Sequence, residues 1–144
     1  MITAVCGGKG GTGKSTYALL LALRKEPLLV DTDVENPNLH ILANTNLGKE
    51  IEKVFIEKPV LIKEKCKKCG ICAKYCKFNA IFISKDGYPI FLHELCESCG
   101  VCWEVCPYNA IEREKEEIGR IYFNESFPLL TGIVKPGEEA SVVV

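Results

Sequence analysis

The sequence predicts an α/β chain in which the opening of a doubly wound sheet is interrupted by a small α+β insert. Three observations predict it. An apolar run at residues 2–5 leads into a glycine-rich turn and a helical pattern at 17–23, the order of a strand, a loop and a helix. Eight of the nine cysteines then fall into two copies of one spacing, C-x2-C-x2-C-x3-C, at 66–76 and 96–106. After them come strand-like residues at 120–123 and 129–134, and the 144-residue sequence stops ten residues later.

The glycine-rich turn reads Gly8-Lys9-Gly10-Gly11-Thr12-Gly13-Lys14-Ser15-Thr16 and satisfies G-x-x-x-x-G-K-[ST]. Its glycines let backbone N–H groups converge on phosphates, and the following helix adds the partial positive charge of its N-terminus. Lys14 is placed to reach the β- and γ-phosphates of ATP, and Ser15 offers its hydroxyl to Mg2+. The competing reading is an ordinary glycine-rich turn between a strand and a helix. The extra Lys9 makes the phrase a deviant Walker A sequence, which resembles the MinD and ParA family of ATPases, to which the nitrogenase iron protein is also related. The resemblance implies that Lys9 is the signature lysine that crosses a homodimer interface to the partner's nucleotide. Taken by itself, Lys9 is a solvated loop charge.

Residues 28–30 read as a short buried strand that runs into Asp31-Thr32-Asp33-Val34-Glu35-Asn36-Pro37-Asn38. Ligand sites of open α/β sheets lie at such strand ends. By resemblance this D-x-D segment is the family's first switch region, which places Asp31 beside the Mg2+ and makes Asp33 the catalytic residue that orients the attacking water. The oxygens of Asp33 and Asn36 equally suit a cap and turn before the next helix, where Leu39, Leu42 and Ala43 share one face of residues 38–44. Residues 49–65 form a charged stretch with short extended patches at 53–56 and 60–62, and the boundary of the insert falls near Lys58-Pro59.

In each cysteine repeat, three thiolates from one tight turn reach three corners of an iron–sulfur cubane. The fourth, one helical turn on, points away to the other cluster. One [4Fe-4S] cluster therefore takes Cys66, Cys69, Cys72 and Cys106, and the second takes Cys96, Cys99, Cys102 and Cys76. The match between repeats extends beyond sulfur from 66–81 to 96–111, with Gly70 opposite Gly100 and Asn79-Ala80-Ile81 opposite Asn109-Ala110-Ile111. This resembles the bacterial two-cluster 4Fe-4S ferredoxins over about 55 residues. Pro107 follows the last cysteine as that pattern expects, whereas Lys77 stands at the first repeat's equivalent position and adds a positive charge that raises a nearby cluster's potential. Residues 81–83 and 90–92 read as strands of a hairpin turning at Asp86-Gly87. Zinc is disfavoured because three successive cysteines at this spacing crowd one ion. Disulfides are disfavoured because residues 1–6 lack a secretory signal, which places the chain in the reducing cytoplasm.

Together the motifs resemble MinD-type ATPases with an inserted ferredoxin domain. The expected fold is an incomplete P-loop doubly wound sheet at 1–57, a two-cluster ferredoxin insert at 58–116, and a return segment at 117–144. The charged residues 112–117 read as a solvated face or exit linker. About 90 residues remain for a nucleotide fold that ordinarily wants ~150, and a Walker B strand is missing. Either a second polypeptide completes the domain or the site binds nucleotide poorly, so independent ATPase activity is in doubt.

A formal charge of −1 leaves no nucleic-acid footprint. Two 2+ cubanes, each held by four thiolates, bring about −2 apiece and take the chain to roughly −5, which suits an electropositive redox partner. No apolar run approaches the ~20 residues of a membrane span. Among single residues, Cys6 reads as a small buried hydrophobe, His40 and His93 as structural or solvated, and Trp103 and Tyr75 as packing that excludes water from a cluster. The expected function is nucleotide-linked electron transfer. The alternatives are an iron–sulfur carrier or assembly ATPase, and a plain ferredoxin with a vestigial loop.

Overall fold

The computed structural model describes residues 2–8, 10–25 and 27–136. Lys9, with its signature role, and the closing residues 137–144 lie outside the described residues. The chain divides into two compact units: one joins the described residues up to Val54 with those from Ile118 onward, and the other is Phe55–Glu117. Among the described residues no helix is long and apolar enough to cross a membrane.

In the first unit, α1 (Lys14–Lys25) is rich in alanine and leucine, strong helix formers. Its first turn is closed by the Tyr17 N–H donating to the Gly13 carbonyl at 2.9 Å. The helix packs against β1 (Leu29–Asp31) and α2 (Leu39–Leu42). The sheet also contains β2 (Lys49–Leu61), β5 (Ile111–Asn124) and β6 (Leu129–Val134), in the order β1-β6-β5-β2. Strand β1 runs parallel to β6, with Leu29 opposite Leu129 and Asp31 opposite Thr131. Strand β6 runs antiparallel to β5, with Gly119 opposite Val134 and Asn124 opposite Leu129. Successive strand residues face opposite sides, and the alternating pair Leu129 and Thr131 is fully buried, as Ile118, Val34, Leu39 and Ala22 also are or nearly are.

Several sequence expectations are corrected here. Residues 2–5, expected as a strand, are irregular, and Ile2 is 99% exposed. A strand is held by ladder bonds to its neighbours rather than by its own propensity, and among the described residues β1 ladders with β6 instead. For the same reason Cys6, expected to be buried, is exposed. The short patches expected within 49–65 are one 13-residue strand, β2, and the expected linker at 112–117 is the first half of β5. Charge does not prevent either strand, because residues 49–53 and 112–115 all stand in solvent and oppositely charged residues pair between the strands: Arg120 donates to Glu50 at 2.9 Å, and Arg113 to Glu57 at 3.4 Å. Leu42, placed on the inner face of its helix by sequence, is half exposed.

The second unit contains α3 (Ile71–Tyr75), β3 (Ile81–Ile83), β4 (Pro89–Phe91), a 3-10 turn at His93–Leu95 and α4 (Val101–Glu104). β3 and β4 pair antiparallel, with Ile81 opposite Phe91, through the Asp86-Gly87 turn. Cys72, Ile81 and Ile111 form the buried core, with Phe91, Trp103, Cys76, Cys102 and Cys106 packed against it. Trp103 thus shields the cysteines as expected, whereas Tyr75 is 54% exposed and does not.

Candidate functional site

The two cysteine loops of the second unit are built alike. Gly70 and Gly100 precede α3 and α4 at φ +70° and +82°, a left-handed conformation that glycine adopts without steric cost. Lys68 and Ser98, and Asn79 and Asn109, are matched left-handed pairs as well. The Cys66 N–H donates to Lys63 O, and the Cys96 N–H to His93 O, both at 3.2 Å. The remote cysteines match too: Cys76 Sγ accepts from the Ala80 N–H and Cys106 Sγ from the Ala110 N–H, each at 3.4 Å.

The halves also exchange strands. Ile62 N–H donates to Ala110 O at 2.9 Å, and Leu92 N–H donates to Ala80 O at 2.8 Å. Shifting the first pair by the 30-residue repeat turns it into the second with donor and acceptor halves swapped. The duplication therefore begins earlier than the cysteines, aligning 58–65 with 88–95, including Pro59 with Pro89 and Glu64 with Glu94. That register was present in the sequence and was missed. It brings in Lys58, whose equivalent is Tyr88.

The cysteines gather across the halves. Cys76 from the first half lines one cavity with Cys96, Cys99 and Cys102 from the second, closed by Phe91, Ile81 and Trp103. In the other group, burial first, then the neighbouring sulfurs of Cys69, Cys106 and Cys66, hold the Cys72 thiol above its ordinary range, partly offset by the Ala73 N–H. Cys102 is pushed up to about 12, chiefly by burial and then by Cys96. Cys76 thus neighbours Cys96, Cys99 and Cys102, and Cys72 neighbours Cys66, Cys69 and Cys106. Among the described residues no three His, Cys, Asp or Glu side chains converge on one metal ion. Cys76, Cys96, Cys99 and Cys102 line a cavity instead.

The chemistry of the donors fits an iron–sulfur cluster. Buried thiols with raised pKa values become thiolates only when cationic iron replaces their protons. Backbone N–H groups already point at Cys76 and Cys106 sulfur. The Ser98 hydroxyl, within the second loop, is buried without a hydrogen-bond partner.

In the first unit, Gly11 and Gly13 are left-handed at φ +72° and +79°, and Lys14 and Ser15 begin α1, followed by Thr16. Gly8, Gly10 and Thr12 lie in the exposed turn before it, and Lys14 Nζ is 3.5 Å from Thr12 Oγ1. Asp31 is buried, with Oδ1 accepting from the Asp33 N–H at 3.2 Å and Oδ2 from the Asn38 and Leu39 N–H groups at 3.0 Å. Its carboxylate thus ties the end of β1 to the start of α2. Asp33 is exposed and accepts from the Asn36 N–H at 3.3 Å, a turn contact. The lone histidines differ: His40 Nδ1 is buried without a hydrogen-bond partner, while His93 Nε2 lies 3.2 Å from Pro59 O.

Comparison with known proteins agrees with the cysteine geometry. Residues 65–111, which hold all eight repeat cysteines, match the 4Fe-4S dicluster domain family. This segment is a ferredoxin-like 4Fe-4S dicluster module. The chain is 40% identical over 146 residues to the uncharacterized protein MJ0578 of Methanocaldococcus jannaschii, a match covering 98% of this chain and 51% of that protein. It is 46% identical over 63 residues to MJ0579 of the same organism, covering 41% of this chain and 23% of that protein. It is also 40% identical over 63 residues to the ketoisovalerate oxidoreductase subunit VorD of Pyrococcus furiosus, covering 44% of this chain and 60% of VorD. The chain spans about half the length of the relative it matches from end to end.

Proposed function

We propose that this chain is a nucleotide-linked electron-transfer protein, with two [4Fe-4S] clusters in the second unit and ATP with Mg2+ at the glycine-rich turn of the first. The observation that carries the electron-transfer part is the grouping of Cys76 with Cys96, Cys99 and Cys102 around one cavity. Four cysteines drawn from two loops hold a cluster durably, which suits an electron carrier and not a protein that must give its cluster away. When bound, the clusters supply one-electron couples. The chain's own groups do the rest: the Ala80 and Ala110 N–H groups stabilise negative charge on the Cys76 and Cys106 sulfurs, and Trp103 and Phe91 exclude water. The identity to VorD supports a place for this module within an oxidoreductase assembly, delivering electrons to a redox partner protein.

The nucleotide part rests on the Gly8–Thr16 motif and on α1 opening at Lys14, which sets helix N–H groups where phosphates would bind. In this reading Ser15 and Asp31 hold Mg2+, Asp33 orients water, and Lys9 acts across a homodimer formed through the P-loop face. Calorimetry of the anaerobically cluster-loaded chain with Mg-ATP, beside Lys14→Ala, tests it. Binding heat in the native chain that vanishes in the variant is expected; no heat in either leaves a two-cluster electron carrier without a nucleotide link.

A further inference from the structure

The two cluster halves differ in a buried charge where Lys58 and Tyr88 stand at equivalent positions. Lys58, near the end of β2, is only 4% exposed. Its ammonium donates to the His93 carbonyl at 2.8 Å and to the carbonyl of Cys96, a ligand residue of the second cluster, at 3.1 Å. His93 returns to the same strand, its Nε2 3.2 Å from the carbonyl of Pro59, and Pro59 lines the cavity holding Cys76, Cys96, Cys99 and Cys102. The first half has an aromatic ring at this place: Tyr88, with the exposed Lys68 ammonium 4.3 Å from its ring centre.

We infer that Lys58 is a positioning residue for the second cluster: it fastens the Cys96 loop and sets a desolvated positive charge beside that cluster alone, raising its reduction potential. A cluster held by four thiolates carries about −2 when oxidised and −3 when reduced, so a nearby cation stabilises the reduced form more. Exposed charges act weakly here, because water and salt screen them. The first loop's exposed Lys67 and Lys68 belong to that screened group, whereas the second loop's half-buried Glu97 lines the same cavity and opposes Lys58. Lys58 is shielded from both, so its effect survives high salt.

This inference rests on the two-cluster reading, and one experiment separates the two. Potentiometric titration of the cluster-loaded full chain, followed by electron paramagnetic resonance, should show two reduction steps in the native protein. Absence of a reducible iron–sulfur signal amounting to two clusters sinks the cluster reading itself, whereas two clusters that titrate together as one step count against the inference. The step lost in Cys99→Ala belongs to the second cluster. In Lys58→Gln, which keeps a donor for the carbonyls but loses the charge, the reduced-to-oxidised ratio of that step at fixed potential should fall about tenfold, or ~59 mV, and should do so equally at ~1 M salt. Lys58→Arg should restore it, and Tyr88→Phe should move neither step. Should Lys58→Gln fail to hold the second cluster while Lys58→Arg holds both, the fastening role stands. Unchanged potentials in a loaded Lys58→Gln chain, or equal loss of both clusters, overturn the inference.

Discussion

The first and second cysteine halves share one backbone and differ in what surrounds it. Left-handed residues fall at 68, 70 and 79 in one half and at 98, 100 and 109 in the other, and the N–H···S bonds to Cys76 and Cys106 have equal lengths. The side chains diverge: lysines at 63, 65, 67 and 68 face the first loop's solvent, while His93, Leu95, Glu97 and Ser98 stand in their places. Backbone sameness reflects ligation, which sets hard limits on φ and on sulfur placement. Side-chain difference is where two otherwise equal clusters can be given separate properties.

Ligation offers the largest way to break this comparison. Removing Cys76 or Cys106 should each cost one cluster of the two, and the cluster lost should belong to the other half's loop. Iron content halved in either variant, with the remaining spectrum different between them, is the expected result of iron analysis and electron paramagnetic resonance.

Packing sharpens it next. Ile81 and Ile111 are equivalent and equally buried, at 8% and 7% exposure. Ile81→Ala and Ile111→Ala should each destabilise the loaded protein by about 2–5 kcal/mol, and by similar amounts, read from the denaturant midpoint for cluster bleaching.

The glycines should behave unequally. A Cβ on Gly100 would come 3.0 Å from Trp103, whereas one on Gly70 meets nothing within 4 Å. Both positions are left-handed, so Gly70→Ala should cost about 1 kcal/mol from strain alone, and Gly100→Ala visibly more by the same midpoint.

Proton release on loading follows from the raised thiols. The cluster-free Cys102 holds its proton to about 12, above the ordinary 9.0, so loading displaces that proton at neutral pH and still does so at ~pH 10. Proton release on loading, followed in weakly buffered solution, should therefore persist at ~pH 10, and cluster binding should weaken as pH falls. The smallest effect should come from Arg120→Ala, which breaks a partly exposed pair with Glu50 and should cost under about 1 kcal/mol.

Much of the site was legible because ligation is local. Spacing alone gives the cysteine loops, and the Asp86-Gly87 turn between short apolar runs gives the β3–β4 hairpin. Helix α1 and strands β1 and β6 were legible from apolar patterning. The extended patches at 53–56, 60–62 and 120–123 fall within β2 and β5, but the full length of these strands was not legible, because their stability comes from cross-strand partners such as Arg113 with Glu57, which lie 56 residues apart. Residues 2–5 failed in the opposite direction, being apolar enough for a strand but lacking a ladder. Lys58 was hidden because its role depends on carbonyls 35 and 38 residues away, and only the upstream extension of the repeat points to it.

The central claim, that each half completes the other's cluster, is tested most directly with two paired variants. Cys76→Ala with Cys99→Ala strikes one crossed set only and should leave one intact cluster, with about four irons. Cys76→Ala with Cys69→Ala strikes both sets and should leave none intact. An intact cluster in the second pair and none in the first would mean that each loop keeps its own fourth cysteine, and would contradict the account.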